Sequence, residues 1–170
     1  MKFKNILVFT LPSAILLLFF LGLGKNNQYN TEKLIGKKID SFVLETLIGE
    51  EKITDNQLRK NNFTLINFFA SWCAPCVVEH KYLLALKENK KLKILGVNYK
   101  DKKKHALNFL EKLGNPYDYL TKDETGTKSI QFGLYGVPES ILIDEDLKII
   151  KKFVGPITEE GYEQILGLIK

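Results

Sequence analysis

The longest apolar run of the chain lies near its N-terminus. No charged residue occurs from Asn5 to Gly24, and this stretch is dense in Leu, Ile and Phe. A run of about 20 apolar residues is long enough to span a bilayer, whereas a cleaved secretory signal has a shorter apolar region and a small-residue cleavage site. The pattern predicts a signal anchor over residues 1–24, formed by one transmembrane helix, with a cleaved signal as the alternative. The polar residues 25–38 are predicted to form a tether.

Beyond the tether, the spacing of apolar residues changes from strand-like to helical. Residues 42–44 and 52–54 are short apolar and β-branched stretches around a glycine turn, which is typical of a β-hairpin. The nearly continuous apolar run 63–69 is typical of a strand buried on both faces of a parallel or mixed sheet. From Pro75 onward the spacing predicts a helix with this proline in its first turn. The residues of this helix expected to face the core are Val78, Tyr82, Ala85 and Leu86.

The C-terminal half continues the alternation of strands and helices. We predict a strand over 92–99 and a helix that ends at Gly114. A short strand, a short helix and an antiparallel hairpin follow, and Thr158 caps the last helix. A βαβ half followed by a ββα half gives a mixed sheet. The chain is therefore predicted to form one α/β domain over residues 39–170, with helices on both faces of a mixed central sheet and an N-terminal β-hairpin extension.

The charge of the chain excludes one class of partner. The formal net charge is +5 and the sequence pI about 9.0, but Arg59 is the only arginine and the lysines are scattered among acidic residues. Bidentate recognition of phosphates and bases favours arginine, so this composition indicates a solvated, lysine-rich surface. Nucleic acid is therefore excluded as a partner. Lysines on both sides of the apolar run leave its orientation in a membrane open.

Both cysteines of the chain occur in the motif Trp72-Cys73-Ala74-Pro75-Cys76, directly after the apolar run 63–69. Cysteines confined to one short motif are typical of a catalytic dithiol rather than of a disulfide framework. Between a strand and a helix, Cys73 lies at the helix N-terminus, where the thiolate is favoured. We expect an exposed Cys73 to act as the nucleophile and a more buried Cys76 to resolve the mixed disulfide.

Two other uses of the cysteines remain open at this point. They are able to pack as small apolar thiols, or to bind zinc together with His80 and His105. His105 lies far along the chain in a lysine run, which disfavours zinc. A c-type haem site needs a histidine directly after the second cysteine, where Val77 stands. We therefore predict no metal and no cofactor.

Several further motifs accompany the cysteine pair between about Ile35 and the C-terminus. They are Leu65-Ile66-Asn67-Phe68-Phe69-Ala70-Ser71-Trp72-Cys73-Ala74-Pro75-Cys76, Glu79-His80, Gly96-Val97-Asn98-Tyr99-Lys100-Asp101, Gly114-Asn115-Pro116-Tyr117, Tyr135-Gly136-Val137-Pro138-Glu139 and Leu142-Ile143-Asp144. With these motifs in this order, the sequence resembles the CcmG or DsbE group, the thioredoxin-like proteins of bacterial cytochrome c maturation. The resemblance implies a thioredoxin-like fold for the domain.

The resemblance also implies a function, a place in the cell and a set of partners. It implies a single-pass inner-membrane protein whose catalytic domain faces the periplasm and acts as a specialised disulfide reductant. The implied substrate is the oxidised cysteine pair of apocytochrome c, reduced directly or through another maturation protein. The implied electron donor is a membrane thiol transporter of the DsbD or CcdA kind.

Six residues around the cysteines take expected roles from the resemblance. Pro138 matches the cis-proline of the family, beside which an extended peptide is able to lie. Asn67 stands where general thioredoxins carry an aspartate, so the relay of a proton falls to Glu79, to Glu139 or to water. Trp72 either contacts the partner or packs in the core, and Pro75 begins the helix.

Rival functions remain on the sequence alone. One is a general extracytoplasmic reductant or a DsbA-like oxidant, since the sequence does not give the direction of electron flow. Another is a chaperone module that binds apocytochrome without turnover, against which the intact cysteine pair argues.

Overall fold

The computed structural model describes residues 2–23 and 31–170. The first helix, α1 (Lys2–Leu23), covers most of the predicted anchor. In the described part of the chain, no helix meets the combined requirements of length and apolar character for a membrane span. Met1, Gly24 and the tether residues 25–30 lie outside the described residues. A separate compact unit begins at Glu32 and continues to Lys170.

A 3₁₀ turn (Thr31–Leu34) ends just before the segment that leads into the sheet. The strands are β1 (Val43–Thr46), β2 (Lys52–Thr54), β3 (Phe63–Phe69), β4 (Leu92–Tyr99), β5 (Tyr119–Asp123), β6 (Glu139–Asp144) and β7 (Ile149–Val154). The helices are α2 (Asp55–Leu58), α3 (Ala74–Lys87), α4 (Lys103–Leu113), α5 (Thr127–Gln131) and α6 (Glu159–Leu168). Each predicted element of the domain is present, with bounds that shift by a few residues.

The seven strands form one mixed sheet in the order β2-β1-β5-β4-β3-β6-β7. Strand β3 pairs in parallel with β4 and antiparallel with β6, and β4 pairs in parallel with β5. The predicted hairpin of β1 and β2 joins the sheet through an antiparallel pairing of β1 with β5. The mixed sheet and its N-terminal hairpin extension are thus confirmed.

Two apolar clusters cover the two faces of the sheet. Successive residues of a strand point to opposite faces, so Leu65 and Phe69 of β3 pack in one cluster while Ile66 and Phe68 pack in the other. Helices α3, α4 and α6 contribute to the first cluster, which also contains both cysteines. Leu58 of α2 and the residue after α5 contribute to the second. Helices therefore lie on both faces, as predicted.

The buried face of α3 differs from the predicted one. Val78 is 62% exposed and Ala85 is exposed, whereas Glu79, His80 and Leu83 are buried. The prediction counted apolar residues only. Glu79 and His80 are buried because the protein interior supplies hydrogen-bond partners for both, which removes most of the cost of burying a polar group.

The segment before β1 is bound to the edge of the sheet. Gly36 N–H donates to the carbonyl of Ile149, Ile149 N–H donates to Lys37, and Ile39 N–H donates to Leu147, at 2.8–3.0 Å. Residues 36–38, which the sequence pattern assigns to the tether, thereby contact the beginning of β7.

Candidate active site

The cysteine pair lies where β3 ends and α3 begins. Cys73 is the N-cap residue of α3, and Pro75 lies in the first turn, where its missing N–H costs no helical hydrogen bond. Cys73 and Cys76 form a disulfide, with their Cα atoms 5.4 Å apart. The N–H of Cys76 lies 3.2 Å from Cys73 Sγ and donates to it. An N–H of the first helical turn therefore points at this sulfur, and it donates to the carbonyl of Cys73 as well, at 3.2 Å.

The expectation of an exposed Cys73 is wrong for the disulfide form. Cys73 is 4% exposed and Cys76 1%, and both belong to the apolar cluster on the α3 face. In this form the sulfur of Cys73 is turned toward its bonded partner and toward the helix, away from solvent. The order of burial, with Cys76 the deeper of the two, agrees with the prediction.

The turn before Cys73 is held by Asp101, a residue to which sequence reasoning gave no role. Its carboxylate accepts from Ser71 N–H at 2.7 Å, Ser71 Oγ at 2.9 Å, Asn98 Nδ2 at 3.1 Å and Lys102 N–H at 2.8 Å. Burial raises the pKa of Asp101, but these four hydrogen bonds outweigh it and hold the pKa below its usual value. The ionised carboxylate thus fastens the Ser71 turn to the end of β4.

Trp72 lies beside this turn and is 59% exposed. Its indole Nε1 donates to the carbonyl of Lys100 at 3.1 Å. The sequence left two roles open for Trp72, contact with the partner or packing in the core. The prediction of core packing is wrong, because more than half of the side chain faces solvent. The ring is fixed at the edge of the site.

Beneath the cysteines, Asn67 is fully buried and connects three elements. Its Nδ2 donates to Glu79 Oε1 at 2.8 Å and to Ser140 Oγ at 3.0 Å, and its Oδ1 accepts from the hydroxyl of Tyr117 at 2.9 Å. The other oxygen of Glu79 accepts from Ile157 N–H at 2.9 Å. Asn67 and Glu79, both predicted site residues, are therefore joined directly.

The environment of this network changes the acidity of two of its members. Burial raises the pKa of the Glu79 carboxyl to about 7, against the hydrogen bonds from Ile157 and Asn67 that lower it. Burial, and after it the charge of Glu79, raises the pKa of Tyr117 well above its usual value. Tyr117 therefore stays a hydrogen-bond donor, while Glu79 gains or loses a proton near neutral pH. Glu79 is fully buried, so the network and not solvent supplies its hydrogen-bond partners.

Glu139 lies on the opposite face of the sheet from Glu79. It is the cross-strand partner of Phe68, whose side chain points away from the α3 face. Its carboxylate pairs with Lys152 Nζ at 2.8 Å and accepts from Tyr135 and Gly136 N–H at 3.1 and 3.2 Å. The structure thus brings Asn67 and Glu79 together but separates Glu139 from them.

Pro138 directly precedes β6, and the Val137–Pro138 peptide bond is cis, as the resemblance implies. Val137 packs against both apolar clusters, including the cluster that contains the cysteines. The loop in front of it carries Tyr135, which is 83% exposed.

The two histidines considered for zinc have different surroundings. His80 Nε2 donates to the carbonyl of Gly114 at 2.9 Å, and burial lowers the pKa of His80. His105 is exposed near the start of α4. Among residues 2–23 and 31–170, no three His, Cys, Asp or Glu side chains form a group able to hold a metal ion.

The sequence reasoning left out Tyr117, Ser140, Lys152 and the Ser71–Asp101 pair as functional residues. Tyr117 and Asp101 belong to two of the motifs that carry the resemblance. This membership was the sequence signal that could have identified them as functional residues. Lys152 had none, since a lysine in a strand of alternating polarity is usually solvated.

Comparisons with known proteins agree with this geometry. The family model named Redoxin matches residues 34–166. The chain is 41% identical to the thiol:disulfide interchange protein HelX of Rhodobacter capsulatus, over 75% of this chain and 72% of that protein. It is 32% identical to the thiol:disulfide interchange protein DsbE of Haemophilus influenzae, over 98% and 94% of the two chains.

A solved structure extends the comparison to the fold. The thiol-disulfide oxidoreductase of Bacteroides fragilis superposes with a TM-score of 0.67 and 25% identity, over 79% of this chain and all of that one. The thioredoxin-like fold that the resemblance implies is confirmed.

Proposed function

Because the chain belongs to the redoxin family and, within it, to the thiol:disulfide interchange proteins of the DsbE type, we propose that it reduces a disulfide required for cytochrome c assembly. The chain is a thiol:disulfide oxidoreductase. Its proposed substrate is the disulfide of apocytochrome c or of a maturation partner. It works as a single-pass inner-membrane protein on the periplasmic side, anchored by residues 1–24 and reduced by a membrane thiol transporter of the DsbD or CcdA kind.

One observation carries the proposed chemistry: the N–H of Cys76, at the start of α3, donates to Cys73 Sγ. In the reduced protein the same donor and the positive end of the helix stabilise a thiolate at Cys73. The Cys73 thiolate attacks one sulfur of the substrate disulfide and releases the other as a thiolate. Cys76, once deprotonated, attacks Cys73 and releases the second substrate thiolate. Two electrons pass to the substrate, and the released thiolates take up protons from water.

The proton of Cys76 is proposed to go to Glu79. The two residues are both buried and lie one turn apart on α3, so their side chains share a face of the helix. A carboxyl with a pKa of about 7 is suited to accept and return a proton at neutral pH. Glu139 is paired with Lys152 on the other face of the sheet, which leaves Glu79 as the proposed acceptor.

A trapping experiment tests the choice of substrate. In the Cys76→Ser variant, Cys73 still attacks the substrate but the mixed disulfide is not resolved. We expect mass spectrometry of the trapped complexes to identify an apocytochrome c or a maturation protein. The matched control is Cys73→Ser/Cys76→Ser, which traps nothing. Complexes formed with unrelated exported proteins alone would show a general reductant instead.

A redox titration tests the direction of electron flow. We expect equilibration with glutathione to give a potential nearer that of thioredoxin, about −270 mV, than that of DsbA, about −120 mV. A value near DsbA would make the chain an oxidant and would end the proposal of reduction. If Cys73 reacts with no disulfide, the chaperone alternative applies.

A further inference from the structure

A basic cleft opens directly beside the cysteine motif. It has a volume of about 570 Å³. Its lining consists of Trp72, three lysines of the turn that leads into α4, His105 and two acidic residues, Asp101 and Glu124. The lysines are Lys100, Lys102 and Lys103. All three are exposed, as is Lys104 in the same helical turn. The cleft therefore combines an exposed aromatic ring with a concentration of positive charge.

The acidic residues of the cleft leave this charge largely uncompensated. Asp101 carries one negative charge against the three lysines, and its carboxylate also accepts four hydrogen bonds from its own loop and from the Ser71 turn. Glu124 pairs with Lys122, outside the cleft, at 3.4 Å. Among the residues that the structure describes, no ion pair includes Lys100, Lys102 or Lys103.

The position of these lysines is unfavourable for the helix that they begin. Lys102 is the N-cap of α4 without a side-chain cap, and Lys103 and Lys104 occupy its first turn. Cations are destabilising at a helix N-terminus, where the macrodipole is positive. The arrangement therefore adds positive potential to the cleft at some cost in the stability of α4.

The cleft is coupled to the reacting cysteine through two short links. Trp72, which precedes Cys73, donates its indole N–H to the carbonyl of Lys100. Ser71 is bound through its N–H and Oγ to Asp101, between Lys100 and Lys102. Whatever occupies the cleft thus lies beside the chain that carries the attacking sulfur.

We propose that this cleft binds an acidic segment of the polypeptide whose disulfide reacts with Cys73. Charge complementarity with the lysines selects the segment, and the exposed face of Trp72 contacts its apolar part. A concave surface next to the nucleophile fits a polypeptide chain better than it fits a flat membrane surface. The lysines outnumber the acidic residues of the cleft, and their field speeds the encounter with acidic substrates.

The inference rests on the exchange step described above and adds to it a preference among substrates. In the test reaction, the protein is reduced with dithiothreitol and freed of it. Its dithiol then passes two electrons to the disulfide of a synthetic peptide, which becomes a dithiol. Three peptides share one Cys-X-X-Cys disulfide and carry glutamate-rich, serine/glycine or lysine-rich flanks. The second-order rate constant is measured for each at low and high salt.

The test variant is Lys102→Gln/Lys103→Gln in the full chain. It removes one cation from the N-cap of α4 and one from its first turn, where positive charge is unfavourable, so its fold is not weakened. The matched control is Lys90→Gln/Lys91→Gln. These two exposed lysines precede β4, whose eight residues place them roughly 25 Å from the cleft.

For the wild-type protein at low salt we expect the rate constant to be highest with the acidic peptide, lower with the neutral one and lowest with the basic one. High salt reduces these differences. In the test variant the rate with the acidic peptide falls about three- to tenfold while the neutral peptide reacts as before, and the control variant keeps the wild-type order. Equal rates with all three peptides, equal slowing of all three, or the same loss in the control would overturn the proposal. A neutral peptide that does not react with the wild-type protein would instead contradict the exchange chemistry.

Flotation with vesicles of anionic phospholipid tests whether the lysines bind a membrane surface instead of a polypeptide. We expect the wild-type protein and the test variant to associate with vesicles equally. Loss of vesicle binding in the test variant, without a change in peptide preference, would assign the lysines to the membrane surface and overturn the proposal.

Discussion

Asn67 fixes the protonation chemistry of the site through a single side chain. Tyr117 donates to its Oδ1, so the amide nitrogen is directed toward Glu79 and Ser140. Glu79 receives one hydrogen bond at each carboxylate oxygen. These donors favour the charged form, but they do not balance the burial of the carboxyl, and the pKa remains raised to about 7.

The raised pKa of Glu79 predicts how stability depends on pH. The folded protein binds a proton at Glu79 more tightly than the unfolded chain does, so protonation of Glu79 stabilises the fold. This contribution is fully present below pH 4.5 and is lost as pH rises toward 7. Over this range the free energy of unfolding of the oxidised protein falls by about 3 kcal/mol. We expect urea titrations at several pH values to show this fall in the wild-type protein and to lack it in Glu79→Gln.

The matched control for this experiment is Glu163→Gln, which changes an exposed glutamate of α6. It keeps the wild-type pH dependence. A wild-type slope that persists in Glu79→Gln would assign the effect to other carboxylates.

The residues of this network differ in how far the sequence predicts them. The apolar run predicts that Asn67 lies on β3, and the spacing after Pro75 predicts that Glu79 lies on α3, whereas their roles in the site come from the resemblance. Tyr117 and Asp101 lie 50 and 30 residues from the groups that they bind. Hydrophobic periodicity reports neighbours on one element, so it does not predict hydrogen bonds between elements. Only the resemblance drew attention to these positions.

At the scale of elements, β4 and the segment before β5 approach each other closely. A Cβ atom at Gly96 of β4 would lie 2.6–2.8 Å from ring atoms of Tyr117. The ring is buried and stacks on Phe69, with centroids 4.8 Å apart. Glycine at this position thus lets Tyr117 reach Asn67.

The close approach predicts the effect of Gly96→Ala. The added methyl group has no space unless the Tyr117 ring moves, and movement breaks its hydrogen bond to Asn67. We expect a loss of about 1–3 kcal/mol in the free energy of unfolding, measured with urea. Gly167→Ala is the matched control, since a Cβ there meets open space. An unchanged stability of Gly96→Ala would show that Tyr117 is not held in place.

The same scale explains why the predicted helix face is wrong and why the sequence did not indicate the position of Glu139. Sequence pattern identified α3 but not its rotation, because buried polar residues interrupt the apolar stripe. It identified the Pro138-Glu139 motif but not the face of the sheet. That face follows from the register of β6 against β3, which the sequence of one strand does not contain.

At the scale of the whole molecule, the compact unit of residues 32–170 contains the complete sheet and both cysteines. We expect a fragment of these residues to fold and to retain disulfide exchange with the neutral peptide. Circular dichroism and the exchange rate constant check this, with the full chain as reference. A fragment that stays unfolded would show that residues before Glu32 are needed for the fold.

The segment bound to β7 has a consequence for self-association. An open sheet edge presents unpaired N–H and C=O groups on which another chain can polymerise. Residues 36–39 occupy the first part of this edge, and the half-buried Lys151 follows in the strand. The opposite edge is β2, which has three residues. In the part of the chain that the structure describes, the sheet is thus limited to seven strands and leaves little edge on which another chain could aggregate.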